Sequence, residues 1–202
     1  MPNWCSTSIA VFGNKDNIRE LYSKLEEIKK ENRVENGFSN LWEGNLLDIY
    51  GIDWKSVHCR GEIEDYYMQK TYEGKEYLRI SQNDAWSPNT DYLYEIFKKA
   101  GYDVDLVYLA EEPGCLLFEN ADSTGLFFKE EYKIDWLVEE PIEELGLKEG
   151  DEMYEYFDSE EDLLKALKEK GLDFKTFEEA EEEIEKYRDS FDWLCMYKFD
   201  FV

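Results

Sequence analysis

The order of two apolar periodicities constrains the fold of residues 1–120 more than any other feature of the sequence. Apolar side chains three and four positions apart predict two helices, one capped by Asn14 or Asp16 and one that begins at Ser87 with Pro88 in its first turn. Five segments predict strands: residues 6–12, 62–71, 75–83, 103–110 and 115–119. The order β-α-β-β-α-β-β indicates an α+β domain whose antiparallel sheet carries both helices on one face, the ferredoxin-like split βαβ pattern.

The connections between these elements are less regular. Residues 38–60 combine tryptophans, leucines and glycines without one period, and they predict an irregular insertion with a short helix near residues 45–50. Residues 72–74 predict the turn of a hairpin. Glu112-Pro113-Gly114 predicts a type II turn, because Pro suits its second position and Gly its third.

The second half of the chain predicts a β-α-α-β element. Residues 126–138 alternate apolar and polar side chains, as a half-buried strand does. Ser159 and Thr176 each stand three residues before an acidic side chain, which predicts the N-caps of two helices. Trp193 and every second residue after it are apolar, so residues 193–202 predict a last strand that turns these side chains into the core.

Negative charge is concentrated in this C-terminal element. The chain carries a net charge of −26, and residues 101–202 hold 32 Asp and Glu against 10 Lys and Arg, whereas residues 1–100 hold 17 against 13. We expect a ferredoxin-like domain at 1–125 and an acidic α+β extension at 126–202. Packing of the extension on the first sheet is the favoured arrangement, and a separate small domain is the alternative.

Composition excludes several classes of function. Strong acidity disfavours direct contact with nucleic acids and with anionic membranes, both of which require Lys and Arg. The four cysteines lie far apart in the sequence and accompany a single histidine, His58, so we expect no metal, no cofactor and buried thiols of a cytoplasmic protein. Without a nucleophile paired with a base or a phosphate-binding loop, the sequence favours a protein that is not an enzyme.

Four short motifs occur in a fixed order along the first half. They are Met-Pro-Asn-Trp-Cys at residues 1–5, Val-Phe-Gly at residues 11–13, Ala-Trp-Ser-Pro at residues 85–88 and Glu-Pro-Gly at residues 112–114. Over about residues 1–120 the chain resembles the YubB-type ferredoxin-like domain family of plasmid and phage proteins. The resemblance implies a ferredoxin-like fold and an origin in a mobile element, and it implies no catalytic residues.

This fold predicts where the motifs meet. We expect the first and third strands to be central and parallel, which places Trp4 near residues 112–114 at one end of the sheet. Asn14, Trp86 and Ser87 then lie together at the other end, where two helix N-termini side by side form a candidate small-ligand or enzymatic site. The alternative is that Trp4 and Trp86 are core anchors and that no site exists there.

The acidic extension predicts a binding surface. Glutamates four residues apart on the helix after Thr176 repel one another, which a helix selected for stability alone avoids. We therefore expect contact with a basic or nucleic-acid-binding protein, with the extension imitating a nucleic-acid backbone. The candidate contact residues are Glu139, Glu140, Glu143, Glu144, Glu178, Glu179, Glu182 and Glu183. Two alternatives remain open, a coat of solvated acids and an accessory structural module without a ligand.

Overall fold

The structure, a computed structural model, describes residues 3–31, 39–71 and 73–202. Residues 1 and 2 of the first motif and Tyr72 of the predicted turn lie outside the described residues. The chain is a mixed α+β protein that divides into two compact units, residues 1–127 with Val202, and residues 128–201. Within the described ranges, no helix is both long enough and apolar enough to cross a membrane.

The first unit is built on five strands in the order β2-β3-β1-β4-β5, and each neighbouring pair is antiparallel. The strands are β1 Trp4–Gly13, β2 Gly61–Lys70, β3 Glu76–Ala85, β4 Val104–Glu112 and β5 Leu117–Asn120. The expectation that β1 and β3 run parallel is wrong, because Trp4 pairs with Ala85 and Val11 pairs with Leu78. The helical connection returns β2 parallel to β1, and the hairpin that follows reverses β3 against both.

Three helices accompany this sheet. They are α1 Lys15–Lys30, α2 Glu43–Ile49 and α3 Asp91–Ala100. Asn14 caps α1 as predicted, since its side chain accepts hydrogen bonds from the backbone N–H groups of Asp16 and Asn17. The predicted start of α3 at Ser87 is wrong. The helix begins at Asp91, because the backbone N–H of Asn89 is held by the Asp84 carboxyl, 3.0 Å away, which keeps residues 86–90 out of the helix.

The core of the first unit lies between the sheet and its helices. Ile9 and Val11 of β1 and Leu78 and Ile80 of β3 point to the same side as the buried faces of the helices. The helical side chains in this core are Ile18, Leu21, Leu25, Ile28, Leu46, Leu47, Leu93, Ile96 and Phe97.

The predicted type II turn between β4 and β5 is wrong, because Pro113–Cys115 is a short 3-10 helix and the left-handed residue is Leu116, at φ 54°.

The second unit has its own sheet and its own core. Its main elements are β6 Tyr132–Val138, β7 Glu152–Phe157, α4 Glu160–Glu169, α5 Phe177–Glu185 and β8 Phe191–Lys198, followed by the two-residue strand β9 Asp200–Phe201. The sheet order is β7-β6-β8, with both pairs antiparallel. The prediction of β-α-α-β missed β7. As predicted, Ser159 and Thr176 cap the two helices.

One face of the second sheet packs against α4 and α5. Ile134 and Trp136 of β6 are fully or almost fully buried there, beside Leu194 and Met196 of β8. The predicted inward face of β8 is therefore wrong, because Trp193 points to the opposite side and is 45 % exposed. Phe191, Leu194 and Met196 of β8 face this core, whereas Trp193 lies on the outer face.

Candidate functional site

The outer face of the second sheet carries a lysine between two tyrosines. Lys133 of β6 stands opposite Tyr156 of β7, and its Nζ lies 4.8 Å from the ring centroid of Tyr154 and 4.9 Å from that of Tyr156. An ammonium group within about 6 Å of an aromatic centroid is attracted by the electron-rich face of the ring. Lys133 is 5 % exposed, whereas Tyr154 is 66 % exposed, so the lysine is buried while the Tyr154 side chain remains accessible to solvent.

Trp193 extends this surface across the sheet to β8. Its indole Nε1 donates a hydrogen bond to Asp135 Oδ1 at 2.6 Å, which fixes the orientation of the ring. Lys133, Asp135, Tyr154, Tyr156 and Trp193 together are called the aromatic face below. Because β7 was not predicted and Trp193 was assigned to the core, sequence reasoning missed this surface. The detectable signal was tyrosine at two alternate positions in a segment rich in glutamate.

The predicted acidic residues on the β6–β7 connection are exposed. Glu139 and Glu140 follow β6, and their backbone N–H groups donate to the Ser190 carbonyl at 2.8 and 3.0 Å. Glu143 and Glu144 begin the short 3-10 helix Glu143–Leu145. The backbone of this segment is therefore fixed while its four carboxylates face solvent.

The predicted acidic residues on α5 lie on the other side of the second sheet from the aromatic face, because α5 packs against the core side of that sheet. Glu178, Glu179 and Glu182 are exposed and Glu183 is partly buried. Two of the four have partners, since Glu179 accepts a hydrogen bond from the backbone of Lys175 and Glu183 forms a salt bridge with Lys186. The structure therefore does not gather the eight predicted glutamates around one centre.

Like-charge crowding on α5 is visible at Glu181. Burial raises the pKa of its carboxyl, and the charges of Glu185, Glu178 and Glu182 raise it further. A raised pKa means that the ionised form is disfavoured at this position. The helix therefore holds its charge against an electrostatic cost, as the sequence pattern indicated.

The first unit contains a buried cluster of polar groups centred on Asp84. Asp84 is 0 % exposed, and its carboxyl accepts hydrogen bonds from Thr7 Oγ1 at 2.8 Å, from Gln82 Nε2 at 2.9 and 3.0 Å and from the backbone N–H of Asn89 at 3.0 Å. Tyr92 extends the cluster by donating to Gln82 Oε1 at 2.7 Å. Thr7, Gln82 and Asn89 donate to the Asp84 carboxyl itself, and Tyr92 donates to Gln82. This arrangement favours the ionised form of Asp84.

Glu43 is the second carboxyl of this cluster, and it too is 0 % exposed. Its Oε2 accepts from the backbone N–H groups of Arg60 and Gly61, at 2.8 and 3.2 Å, and from Asn89 Nδ2 at 2.9 Å. In the described part of the chain, no N–H or O–H group donates to Oε1. Desolvation raises the pKa of Glu43 to about 8, with a further contribution from the charge of Asp84, to which its carboxyl is hydrogen-bonded.

The arrangement assigns one proton to the pair. Desolvation also raises the pKa of Asp84, but the hydrogen bonds that Asp84 accepts oppose this shift. Glu43 therefore carries the proton and donates it towards Asp84. Because neither carboxyl reaches solvent, the pair acts in this structure by joining α2, the start of β2 and residues 86–90, not by contact with a ligand.

The predicted site of Asn14, Trp86 and Ser87 does not form. Asn14 follows the last residue of β1, whereas the backbone N–H of Trp86 donates to the Asn3 carbonyl at 2.9 Å, beyond the first residue of β1. Antiparallel pairing of β1 and β3 places the two groups at opposite ends of a ten-residue strand. Ser87 Oγ accepts a hydrogen bond from Arg60 at 2.7 Å, at the Trp86 end.

The predicted placement of the start of β1 near residues 112–114 is confirmed. Asn3 Nδ2 lies 3.7 Å from the Sγ of Cys115, which directly follows those residues. Trp4 and Trp86 are 53 % and 50 % exposed, so the alternative that both are core anchors is wrong.

Within residues 3–31, 39–71 and 73–202, no cluster of three or more His, Cys, Asp or Glu side chains could hold a metal ion. The comparisons with known proteins add no relative, since no protein-family model, curated protein or solved structure matches this chain.

Proposed function

We propose that the protein binds a basic segment of a partner protein through the aromatic face of its second unit. The observation that carries this proposal is the position of Lys133, whose ammonium group lies against the rings of Tyr154 and Tyr156. The face already holds a cation of its own chain, and Tyr154 and Trp193 leave ring surface exposed for another. Tyrosine, tryptophan and arginine are the residues on which binding energy in protein interfaces most often depends.

Charge supports the choice of a basic partner. Residues 128–201 contain 26 Asp and Glu against 10 Lys and Arg. Such an excess attracts a cationic protein from a distance and accelerates association, while short-range contacts determine how long the complex lasts. In this division of roles, Glu139, Glu140, Glu143 and Glu144 act mainly on the association rate, and the aromatic face acts on dissociation.

The partner class is a protein whose own ligand is a nucleic acid. Its binding groove presents closely spaced Lys and Arg side chains. The carboxylates of an acidic surface pair with these cations as phosphates do, and its aromatic rings take the place of the stacked bases. The small-ligand role and the accessory structural module are the competing possibilities.

The test is a titration of a fluorescently labelled Lys- and Arg-rich peptide against the full-length protein at low and high salt. We expect Tyr154→Ala with Trp193→Ala to weaken binding by about tenfold at both salt concentrations. The matched control is Glu139→Gln with Glu140→Gln, which reduces association at low salt only. Equal binding by the aromatic double variant and the wild type contradicts the proposal and favours a coat of solvated acids.

We also propose that the first unit has a ferredoxin-like fold and that the protein belongs to a mobile element. The order β2-β3-β1-β4 with antiparallel pairs and the placement of helical side chains against one face support the fold. The resemblance of residues 1–120 to the YubB-type family supports the origin. The proposal of a ferredoxin-like fold is contradicted if a crystal structure of residues 1–127 places α1 and α3 on opposite faces of the sheet.

A further inference from the structure

A cavity in the first unit is lined by several lysine side chains, although the protein as a whole is strongly acidic. It lies where β1 ends and α1 begins, beside the β2–β3 hairpin, and its volume is about 650 Å³. Lys15, Lys70 and Lys75 line it. The volume is within the range of small-molecule sites. Three lysines around one cavity contrast with the net charge of −26.

Glu76 organises the cations at the edge of this cavity. Lys15 Nζ lies 3.3 Å and Arg19 NH2 lies 3.0 Å from the same oxygen, Glu76 Oε2, and the Glu76 side chain is 19 % exposed. Burial raises the pKa of Glu76, but the hydrogen bond from Lys15 and the charges of Arg19, Lys15 and Lys70 outweigh it, and the net pKa is lowered. Lys75 Nζ is paired in turn with Glu73 Oε2 at 3.1 Å. Lys15, Arg19, Lys70 and Lys75 therefore stand against two carboxylates, and a net positive charge remains available to a ligand.

Part of the cavity lining is apolar. The rings of Phe12 and Phe127 stack with their centroids 4.9 Å apart, and Tyr77 contacts Phe127 edge-on at 5.0 Å. Leu126 also lines the cavity and is 41 % exposed. A ligand here meets both ammonium groups and the apolar surface of Phe12, Leu126 and Phe127.

We propose that this cavity binds an organic phosphate whose phosphate group is attached to a flat ring system, as in a mononucleotide. Lys15, Lys70 and Lys75 contact the phosphate oxygens, and the ring system packs against Phe12 and Leu126. Lysine ammonium groups suit a doubly charged phosphate as strong hydrogen-bond donors. The side chain of Asn14 already accepts two of the first N–H groups of α1, so the lysines and not the helix end supply the contacts.

The test is isothermal titration of the full-length protein at low ionic strength with three probes: adenosine 5′-monophosphate, adenosine and inorganic phosphate. We expect the nucleotide to bind more tightly than either fragment, because only it contacts both the ammonium groups and the apolar surface. Lys70→Ala with Lys75→Ala weakens nucleotide binding by about tenfold or more. Leu126→Ala weakens binding of the nucleotide and of adenosine but leaves that of inorganic phosphate unchanged.

The control is Lys98→Ala with Lys99→Ala in the last turn of α3, which removes the same charge away from the cavity. We expect this control to change nucleotide binding by less than about twofold. The proposal is overturned if the nucleotide does not bind the wild type, if both double variants weaken binding equally, or if inorganic phosphate binds as tightly as the nucleotide. Circular dichroism of each variant verifies that it is folded.

Discussion

At the scale of single residues, the most informative group is Glu43. Its Oε2 accepts three N–H donors, and its carboxyl interacts with that of Asp84. The folded pKa of about 8 exceeds the ordinary value of 4.5. Between these values the folded protein keeps a proton that the unfolded chain has released. The stability from this group is therefore complete below pH 4.5 and is lost as the pH rises to 8, by up to about 1.4 kcal/mol per pH unit.

Glu43→Gln tests this assignment. A glutamine amide accepts from Arg60, Gly61 and Asn89 with its oxygen and donates to Asp84 with its nitrogen, as protonated Glu43 does, but it does not titrate. We expect urea unfolding to show a smaller loss of stability from pH 5 to pH 9 for the variant than for the wild type, and a more stable variant at pH 9. Parallel pH profiles of the two proteins contradict the shared proton.

The comparison variant for this experiment is Asp84→Asn. The new amide nitrogen faces the donors Thr7, Gln82 and Asn89, so at least one buried N–H or O–H group loses its acceptor. We expect a loss of about 2 kcal/mol already at pH 5, where Glu43→Gln has little effect. The fall in stability at higher pH is also smaller than in the wild type, because the charge of Asp84 no longer raises the pKa of Glu43.

Trp86 is a second informative residue, because it adopts φ 76°, in the left-handed region that favours glycine. Its ring is half exposed, so removing it leaves no large cavity. We expect Trp86→Gly to be more stable than Trp86→Ala by about 1 kcal/mol, since both remove the indole and only glycine relieves the backbone. Thermal unfolding of the two variants measures the difference. A more stable alanine variant shows that the backbone at Trp86 is not strained.

At the scale of elements, helix caps could be predicted from the sequence, whereas contacts between different elements could not. Asn14, Ser159 and Thr176 cap their helices as expected, because an N-cap depends on its own side chain and the next three residues. Ser87-Pro88 carries the same local signal, but Asp84 binds the backbone of Asn89 and delays the helix. A contact between β3 and the loop that follows it cannot be inferred from local pattern.

The predictions for strands β7 and β8 failed for a related reason. Both faces of β8 carry apolar side chains, so a period of two marks a strand without saying which face is buried. β7 has an exposed glutamate, Glu155, on its core side and tyrosines outside, which conceals its amphipathic pattern. The two alternate tyrosines of β7 were a signal for the aromatic face, but the surface was missed because it depends on β7 and β8 together. The Asn14–Trp86 site was misplaced by one wrong strand direction, not by a wrong choice of motif.

Helix α5 supports a prediction at this scale. Burial raises the pKa of the Glu181 carboxyl, and the charges of Glu185, Glu178 and Glu182 raise it further, as expected for like charges on one helix. We expect Glu181→Gln to stabilise the protein by about 0.5 kcal/mol in low salt and by less in high salt, because glutamine is a comparable helix former without charge. Glu149→Gln, in the exposed β6–β7 connection, is the matched control and should change stability little. A gain that is equal in both variants indicates a general effect of net charge.

At the scale of the whole molecule, the division into two units gives the remaining prediction. Residues 128–201 contain a three-stranded sheet, two capped helices and a core that includes Trp136, Leu163 and Ile184. A unit with its own core is expected to fold alone, although a domain of this size is marginal and its excess of acids opposes compaction. We expect the isolated fragment to unfold cooperatively in moderate salt and to lose stability as salt is removed. A fragment that stays unfolded at every salt concentration shows that the acidic half depends on the first unit, and that its charge is part of one larger domain.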